Sequence, residues 1–290
     1  MVWVGYSLVS AFCLATTDAL CKKRLGELRQ PADLYLVAWA RLLYPTPLLA
    51  LALLVAPIPS LDAIFWRTIA IMVPLELCAL VFYMKALQAS PLSLTLPFLS
   101  LTPVFLLGTS VLLLGEAPSW VGLTGVVCVA AGAFLLHVRS WTDSAWQPFR
   151  SIWRELGSRY MIAAALIYSI TSSLGKLAIL HSSPVFFSVL YYCILSIAFF
   201  PIALAAAGPA GLRKIWRRDF LAIGAFDAVS ILSHVLAIVQ TNVAYMIAVK
   251  RTSMLFGMGY GVWWFGERYA AERLAGMLVM LVGVALTVAG

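Results

Sequence analysis

The chain has 290 residues, of which 63% are hydrophobic and only 11% charged, and its mean hydropathy is +0.97. Soluble domains carry charge on about a quarter of their residues, so this composition excludes a soluble enzyme or binding module and points to an integral membrane protein. The formal net charge of +8 does not indicate nucleic acid, because 14 of the 20 Lys and Arg residues fall in four connectors between apolar runs.

Apolar runs of about 20 residues, long enough to cross a ~30 Å hydrocarbon core as helices, recur along the whole chain. They lie at 2–21, 34–55, 65–88, 92–114, 119–137, 159–180, 184–207, 219–240, 243–265 and 270–289. The fold expected is therefore all-α, with ten transmembrane helices. The first run has no basic flank before it and no Ala-x-Ala site after it, so it reads as a retained helix. At its end Asp18 and Lys22 stand four apart, acid before base, the order that favours an interfacial salt bridge.

Arg41 lies seven residues into the second run, about 10 Å from its end, within reach of the interface by snorkelling. In the third run Glu76 is eleven residues in, about 16 Å and near the midplane, and Tyr83 follows it by two helical turns on the same face. The fourth run carries Pro91, Pro97 and Pro103, each of which removes a backbone donor and frees carbonyls that can line a cavity. Glu116 closes that run. In the seventh run Tyr191 and Tyr192 are deep enough to reach a central cavity. In the eighth, Asp227, Ser230 and His234 form a polar stripe.

The ninth run, NVAYMIAVKRTSMLFGMGYGVWWFGER, holds Lys250 and Arg251 side by side. A cation at the bilayer centre costs about +2.5 to +3.5 kcal/mol on insertion scales, so the pair needs buried acids, a substrate, or both. One division pairs Arg251 with a buried carboxylate and leaves Lys250 to the cavity or interface, since Arg makes the better bidentate partner and Lys the better mobile charge. Gly257, Gly259 and Gly261 loosen this run where the fourth has prolines. Tyr260, Trp263, Trp264 and Phe265 suit an interfacial aromatic belt, and Glu267 ends the run as Glu116 ends the fourth.

The connector charges set an orientation. Lys22, Lys23, Arg24 and Arg29; Arg139, Arg150, Arg154 and Arg159; Arg213, Lys214, Arg217 and Arg218; and Arg268 and Arg273 occupy the first, fifth, seventh and ninth connectors. Those odd-numbered connectors are expected in the cytoplasm of a cell (inner) membrane protein, with both termini outside.

The chain also repeats itself. At an offset of 151, LGEAPSWVGLTGVVCVAAGAFL at 114–135 lies over FGERYAAERLAGMLVMLVGVAL at 265–286, matching Gly115 to Gly266, Glu116 to Glu267, Gly125 to Gly276 and Gly132 to Gly283. The same offset sets Glu76 on Asp227, Tyr83 on His234 and Gly108 on Gly259. TDALCK at 17–22 resembles TSSLGK at 171–176. Two five-helix repeats are expected, 1–137 and 159–290, joined by a cytoplasmic connector at 138–158. Five is odd, so the second repeat enters the membrane inverted, an architecture of secondary transporters.

The Gly-Glu at the end of the fourth helix of each half, the glycine-rich fifth helix, the ten spans and Val-Lys-Arg-Thr-Ser at 249–253 together resemble the drug/metabolite transporter superfamily, EamA type. The resemblance covers essentially the whole chain. It implies a ten-helix carrier around a central substrate cavity, with the fifth helix of each half at the periphery. The charge census departs from the family in one respect, since many such carriers are thought to keep both termini in the cytoplasm.

The function expected is secondary active transport of a small polar metabolite, anionic or zwitterionic, by alternating access. Lys250, Arg251, Arg41, Tyr83, His234, Tyr191 and Tyr192 are the expected substrate-binding residues. Glu76 and Asp227 are the expected proton-coupling acids, and Glu116 and Glu267 gating or turn residues. A lipid-linked sugar or lipid-phosphate flippase is the alternative, followed by a membrane-embedded enzyme acting on a lipid phosphate through Lys250, Arg251 and His234. No catalytic residues, cofactor or metal are expected: the five cysteines are single, the three histidines far apart, and no ATPase motif is present. The expected partners are a metabolite, protons and the lipid bilayer, with no nucleic acid.

Overall fold

The computed structural model describes residues 1–27, 30, 32–54, 56–89, 98–135, 155–266 and 272–290. Its helices are α1 (Val2–Glu27), α2 (Asp33–Leu43), α3 (Pro45–Ala52), α4 (Ala63–Ala89), α5 (Thr102–Leu114), α6 (Trp120–Leu135), α7 (Leu156–Leu180), α8 (Pro184–Leu212), α9 (Asp219–Ile238), α10 (Val243–Lys250), α11 (Ser253–Phe265) and α12 (Glu272–Ala289), with a 3-10 turn at Arg213–Ile215. α2 and α3 meet at Tyr44 and α10 and α11 at Arg251–Thr252, so the described helices group into ten apolar segments. Six of these are long and apolar enough to cross a membrane, and α5, α6 and the Leu274–Ala289 stretch of α12 are shorter apolar helices. Pro91, Pro97, Glu267 and the 138–154 part of the connector lie outside the described residues.

The duplication is visible in backbone detail. α5 and α11 are each 13 residues long and begin and end at the same register, 102–114 and 253–265. Each follows a two-residue break, Ser100–Leu101 and Arg251–Thr252. Each ends on a left-handed glycine, Gly115 at φ 69° and Gly266 at φ 62°, a conformation that costs a side-chain-bearing residue. The matched Gly-Glu pairs thus mark two copies of one helix stop.

The helices pack as two compact units, one of Met1–Leu77 with Lys176–Gln240, the other of Cys78–Gly175 with Thr241–Gly290. Each draws on both halves of the sequence. In the first, α1 lies along α9 through a buried reciprocal serine pair: Ser10 Oγ donates to the Ser230 carbonyl at 2.9 Å and Ser230 Oγ to the Ser10 carbonyl at 2.9 Å. Small hydroxylated residues let backbones approach where apolar lipid supplies no hydrophobic drive for helix association. α2 runs antiparallel to α8. Lys214 Nζ, just beyond α8, donates to buried Asp33 at the start of α2 at 2.8 Å, Trp39 Nε1 donates to the Ser196 carbonyl at 2.9 Å, and Leu49 of α3 packs with Val189 near the start of α8. Outside the spans, Asp62 accepts from the Phe65 N–H at 2.8 Å and meets His181 Nδ1 at 2.7 Å. The amide bond first, and the imidazole second, hold the Asp62 carboxyl below its ordinary pKa.

In the second unit, α6 and α12 cross on glycine. A Cβ at Gly132 would sit 2.5 Å from the Met280 amide nitrogen and 2.7 Å from the Gly276 carbonyl, and one at Gly283 2.5 Å from the Val129 nitrogen and 2.8 Å from the Gly125 carbonyl. Gly125 therefore approaches Gly283, and its repeat equivalent Gly276 approaches Gly132. That crosswise pairing is the signature of a two-fold relation between equivalent helices. Both α6 against α12 and the α2–α3 segment against α8 are equivalents running antiparallel, so the repeats are inverted.

Candidate functional site

The first unit gathers charge inside its spans. One turn before Ser230 on α9 stands Asp227, so the serine clamp that lays α9 on α1 also turns this carboxylate toward Thr17 and Asp18 of α1. Arg41 of α2 bridges the two acids. Its Nε and Nη2 reach the two oxygens of Asp227 at 3.1 and 3.4 Å, fork against fork, and its Nη1 reaches Asp18 Oδ1 at 2.8 Å. The three side chains differ in access: Asp227 is 7% exposed, Arg41 31% and Asp18 56%. The fully buried Thr17 hydroxyl faces Asp227 without reaching hydrogen-bond geometry. Cys21, one turn on from Asp18 and Thr17, lies in the field of all three charges.

The cation that answers Asp227 is Arg41, because the α1–α9 clamp and the α2–α8 contact bring α2 and α9 together. Asp18, expected as an interfacial partner of Lys22, accepts from the third nitrogen of Arg41.

Tyr192 of α8 lies within electrostatic reach of Asp227, Glu76 and Arg41. At the repeat offset of 151 it is the equivalent of Arg41, just as Glu76 is the equivalent of Asp227. Two copies of one second-helix and third-helix pairing thus share this region, one with a guanidinium and the other with a phenol. Tyr192 also packs on the Leu49, Val189, Ala228 and Ile231 cluster and meets the Tyr191 ring edge-on at 6.2 Å; Tyr191 stacks on Phe187 at 5.2 Å. His234 is half-buried on α9, two turns from Asp227.

The other expected residues belong to the second unit. Tyr83 packs against Ala86, Phe98 and Met161. Lys250 and Arg251, both half-buried, sit at the break between α10 and α11, where the helix ladder is interrupted. Glu116 Oε2 accepts from the Val243 N–H at 2.9 Å, and the Asn242 side chain accepts from Ala244, so two donors at the start of α10 are satisfied and the carboxylate meets the positive end of its dipole. Among the described residues no three His, Cys, Asp or Glu side chains gather closely enough to hold a metal ion.

Comparison with known families decides what kind of protein carries this site. The model of the EamA-like transporter family matches residues 1–138 and, a second time, residues 156–289. The chain belongs to the EamA-like transporter family. This EamA-like transporter is thus an integral, multi-pass membrane protein with duplicated halves, and its family consists normally of transporters, not enzymes. A solved crystal structure, described only as that of a protein, is similar in fold at a TM-score of 0.73 and 15% identity, over 97% of this chain and 96% of its own. No curated protein sequence matches.

The residues that sequence reasoning missed in this EamA-like transporter are Asp18 and Thr17. The signal was present in the short repeat TDALCK over TSSLGK, where Asp18 is the charged residue that the second copy lacks.

Proposed function

We propose that this protein is a secondary carrier that moves a small polar organic metabolite, anionic or zwitterionic, across the cell (inner) membrane by alternating access. The observation that carries the proposal is Arg41 held between buried Asp227 and exposed Asp18. A guanidinium kept ionised inside a span and still reachable is a receptor for a carboxylate or phosphate. The inverted helix pairs supply two equivalent packings for the two access states. Tyr192, Tyr191 and His234 line the same region in this reading, and Tyr83, Lys250 and Arg251 are further substrate contacts in it. Residues 1–137 and 159–290 are the two repeats, with 138–158 linking them.

Glu76 and Asp227 are the proposed proton carriers. A carboxylate that loses its guanidinium partner during the cycle can take up a proton and releases it when the pair re-forms. In proteoliposomes, Glu76→Gln and Asp227→Asn should abolish pH-gradient-driven uptake at least about tenfold while solute exchange at uniform pH persists; unchanged pH dependence in both would remove protons from the mechanism. Odd-numbered connectors face the cytoplasm in this reading. A cysteine introduced at Ser144 should resist a membrane-impermeant thiol reagent in intact cells, and rapid labelling would reverse the orientation.

A further inference from the structure

We infer that the close of α1 and the Arg213–Arg218 turn before α9 together form a binding site for the headgroup of an anionic phospholipid, held by Lys23, Arg213 and Arg218 with Trp216 in the bilayer interface beside them. The site is distinct from the Arg41 bridge, since Asp227 lies eight residues, about 12 Å, further along α9 than Asp219. It does not depend on the direction in which the chain crosses the membrane.

Packing brings the two segments together. Arg24, 4% exposed at the close of α1, reaches Asp219 Oδ2 with Nη1 at 3.4 Å and lies over the Phe220 ring at 5.7 Å, so α1 ends against the first residues of α9. Phe220 stacks on Tyr44 at 5.8 Å, and the Tyr44 hydroxyl donates to the Ile215 carbonyl at 2.8 Å. Lys214 Nζ donates to Asp33 and Gln30 at 2.8 and 3.2 Å. The turn is thus braced from several sides and presents its remaining cations on a fixed platform.

Charge and exposure select the ligand. Asp33 is buried and takes Lys214, while Asp219 is shared by Arg24 and Arg217 at 3.4 and 3.5 Å. Around these engaged acids Lys23, Arg213 and Arg218 are exposed, so the platform attracts anions. Trp216, 71% exposed, stands within the turn, and tryptophan settles at the headgroup level of a bilayer, the depth of the lipid phosphates. Guanidinium forks suit phosphate oxygens, and basic clusters at the end of a span gather anionic lipid. A zwitterionic lipid brings the same phosphate with a choline cation, which the platform repels. Leu221, 60% exposed at the start of α9, adds apolar surface for the acyl chains that a soluble phosphate lacks.

The test is thermal melting and native mass spectrometry of the purified full chain in an uncharged detergent. The probes are phosphatidylglycerol, phosphatidylcholine and glycerophosphoglycerol, which is the first headgroup without its chains. Phosphatidylglycerol should raise the melting temperature of wild type by about 3 °C or more above the value with phosphatidylcholine. Arg213→Gln with Arg218→Gln should bind it about tenfold or more weakly. Arg67→Gln, which removes an exposed cation near the Asp62–His181 pair, should bind it as wild type does. If the double variant melts poorly without lipid, Lys23→Gln decides, with an expected loss of about threefold or more. Equal stabilisation by phosphatidylcholine, or by glycerophosphoglycerol alone, would overturn the inference. So would equal weakening by Arg67→Gln and the double variant, because attraction would then follow net charge and not this platform.

Discussion

Replacing Arg41 with alanine should be the most damaging single change in the first unit. It strips Asp227 of both hydrogen bonds from its guanidinium while the carboxylate stays 7% exposed, and breaking a buried pair from one side costs about 3 kcal/mol or more. Solute binding should fall by at least about 100-fold, since the receiving cation is gone. Stability and binding then separate in the double variant Arg41→Gln with Asp227→Asn. A neutral amide pair has no buried charge to answer, so thermal stability should return most of the way, but binding should not. A single Arg41→Ala protein with wild-type melting and wild-type binding would show that the bridge is incidental to both.

The second large effect is expected where α6 meets α12. In Gly132→Ala the new methyl would lie 2.5 Å from the Met280 backbone nitrogen, and backbone cannot swing aside as a side-chain tip can. The helices must separate along their length, losing the close contact that holds them. Overpacking of this kind costs about 1–3 kcal/mol, and the backbone location puts Gly132→Ala at the upper end, with a fall in melting temperature of about 5 °C or more. Gly283→Ala should behave alike. Gly108→Ala and Gly259→Ala are the controls, because a Cβ at either meets nothing within 4 Å, and they should melt within about 2 °C of wild type. Equal losses at all four sites would show that close approach of the two backbones is not the cause, since alanine is the better helix former.

The glycines also illustrate what could be read in advance. Gly125, Gly132, Gly276 and Gly283 fall at one offset in the sequence, and a repeated glycine in an apolar helix has few uses other than close packing. So the duplicated, inverted architecture was legible, as were the two helix stops at Gly115 and Gly266. The acids Glu76 and Asp227 and the cation Arg41 stood out because charge inside a span demands a reason. What could not be read was which cation meets which acid. Lys250 and Arg251 drew attention by adjacency, yet the partner of Asp227 is fixed by helix packing, through Ser10 and Ser230, residues too ordinary to signal a contact across 220 positions. Asp18 was hidden for another reason: with Lys22 four residues on, it fits a local salt bridge, and local geometry gives no hint that Arg41 competes for it. The equivalence of Arg41 and Tyr192 was present at the repeat offset but carries meaning only once both side chains are known to lie near the same carboxylates.

If solute crosses the membrane bound at the Arg41 bridge, exchange measures it directly. Proteoliposomes loaded with a high concentration of a polar solute that wild type binds are diluted into a trace of the same compound carrying an isotopic label. Wild type should concentrate the label transiently, as a carrier does, and the Arg41→Gln Asp227→Asn protein, folded and equally reconstituted, should not. Transient accumulation of equal size in both proteins would contradict the account.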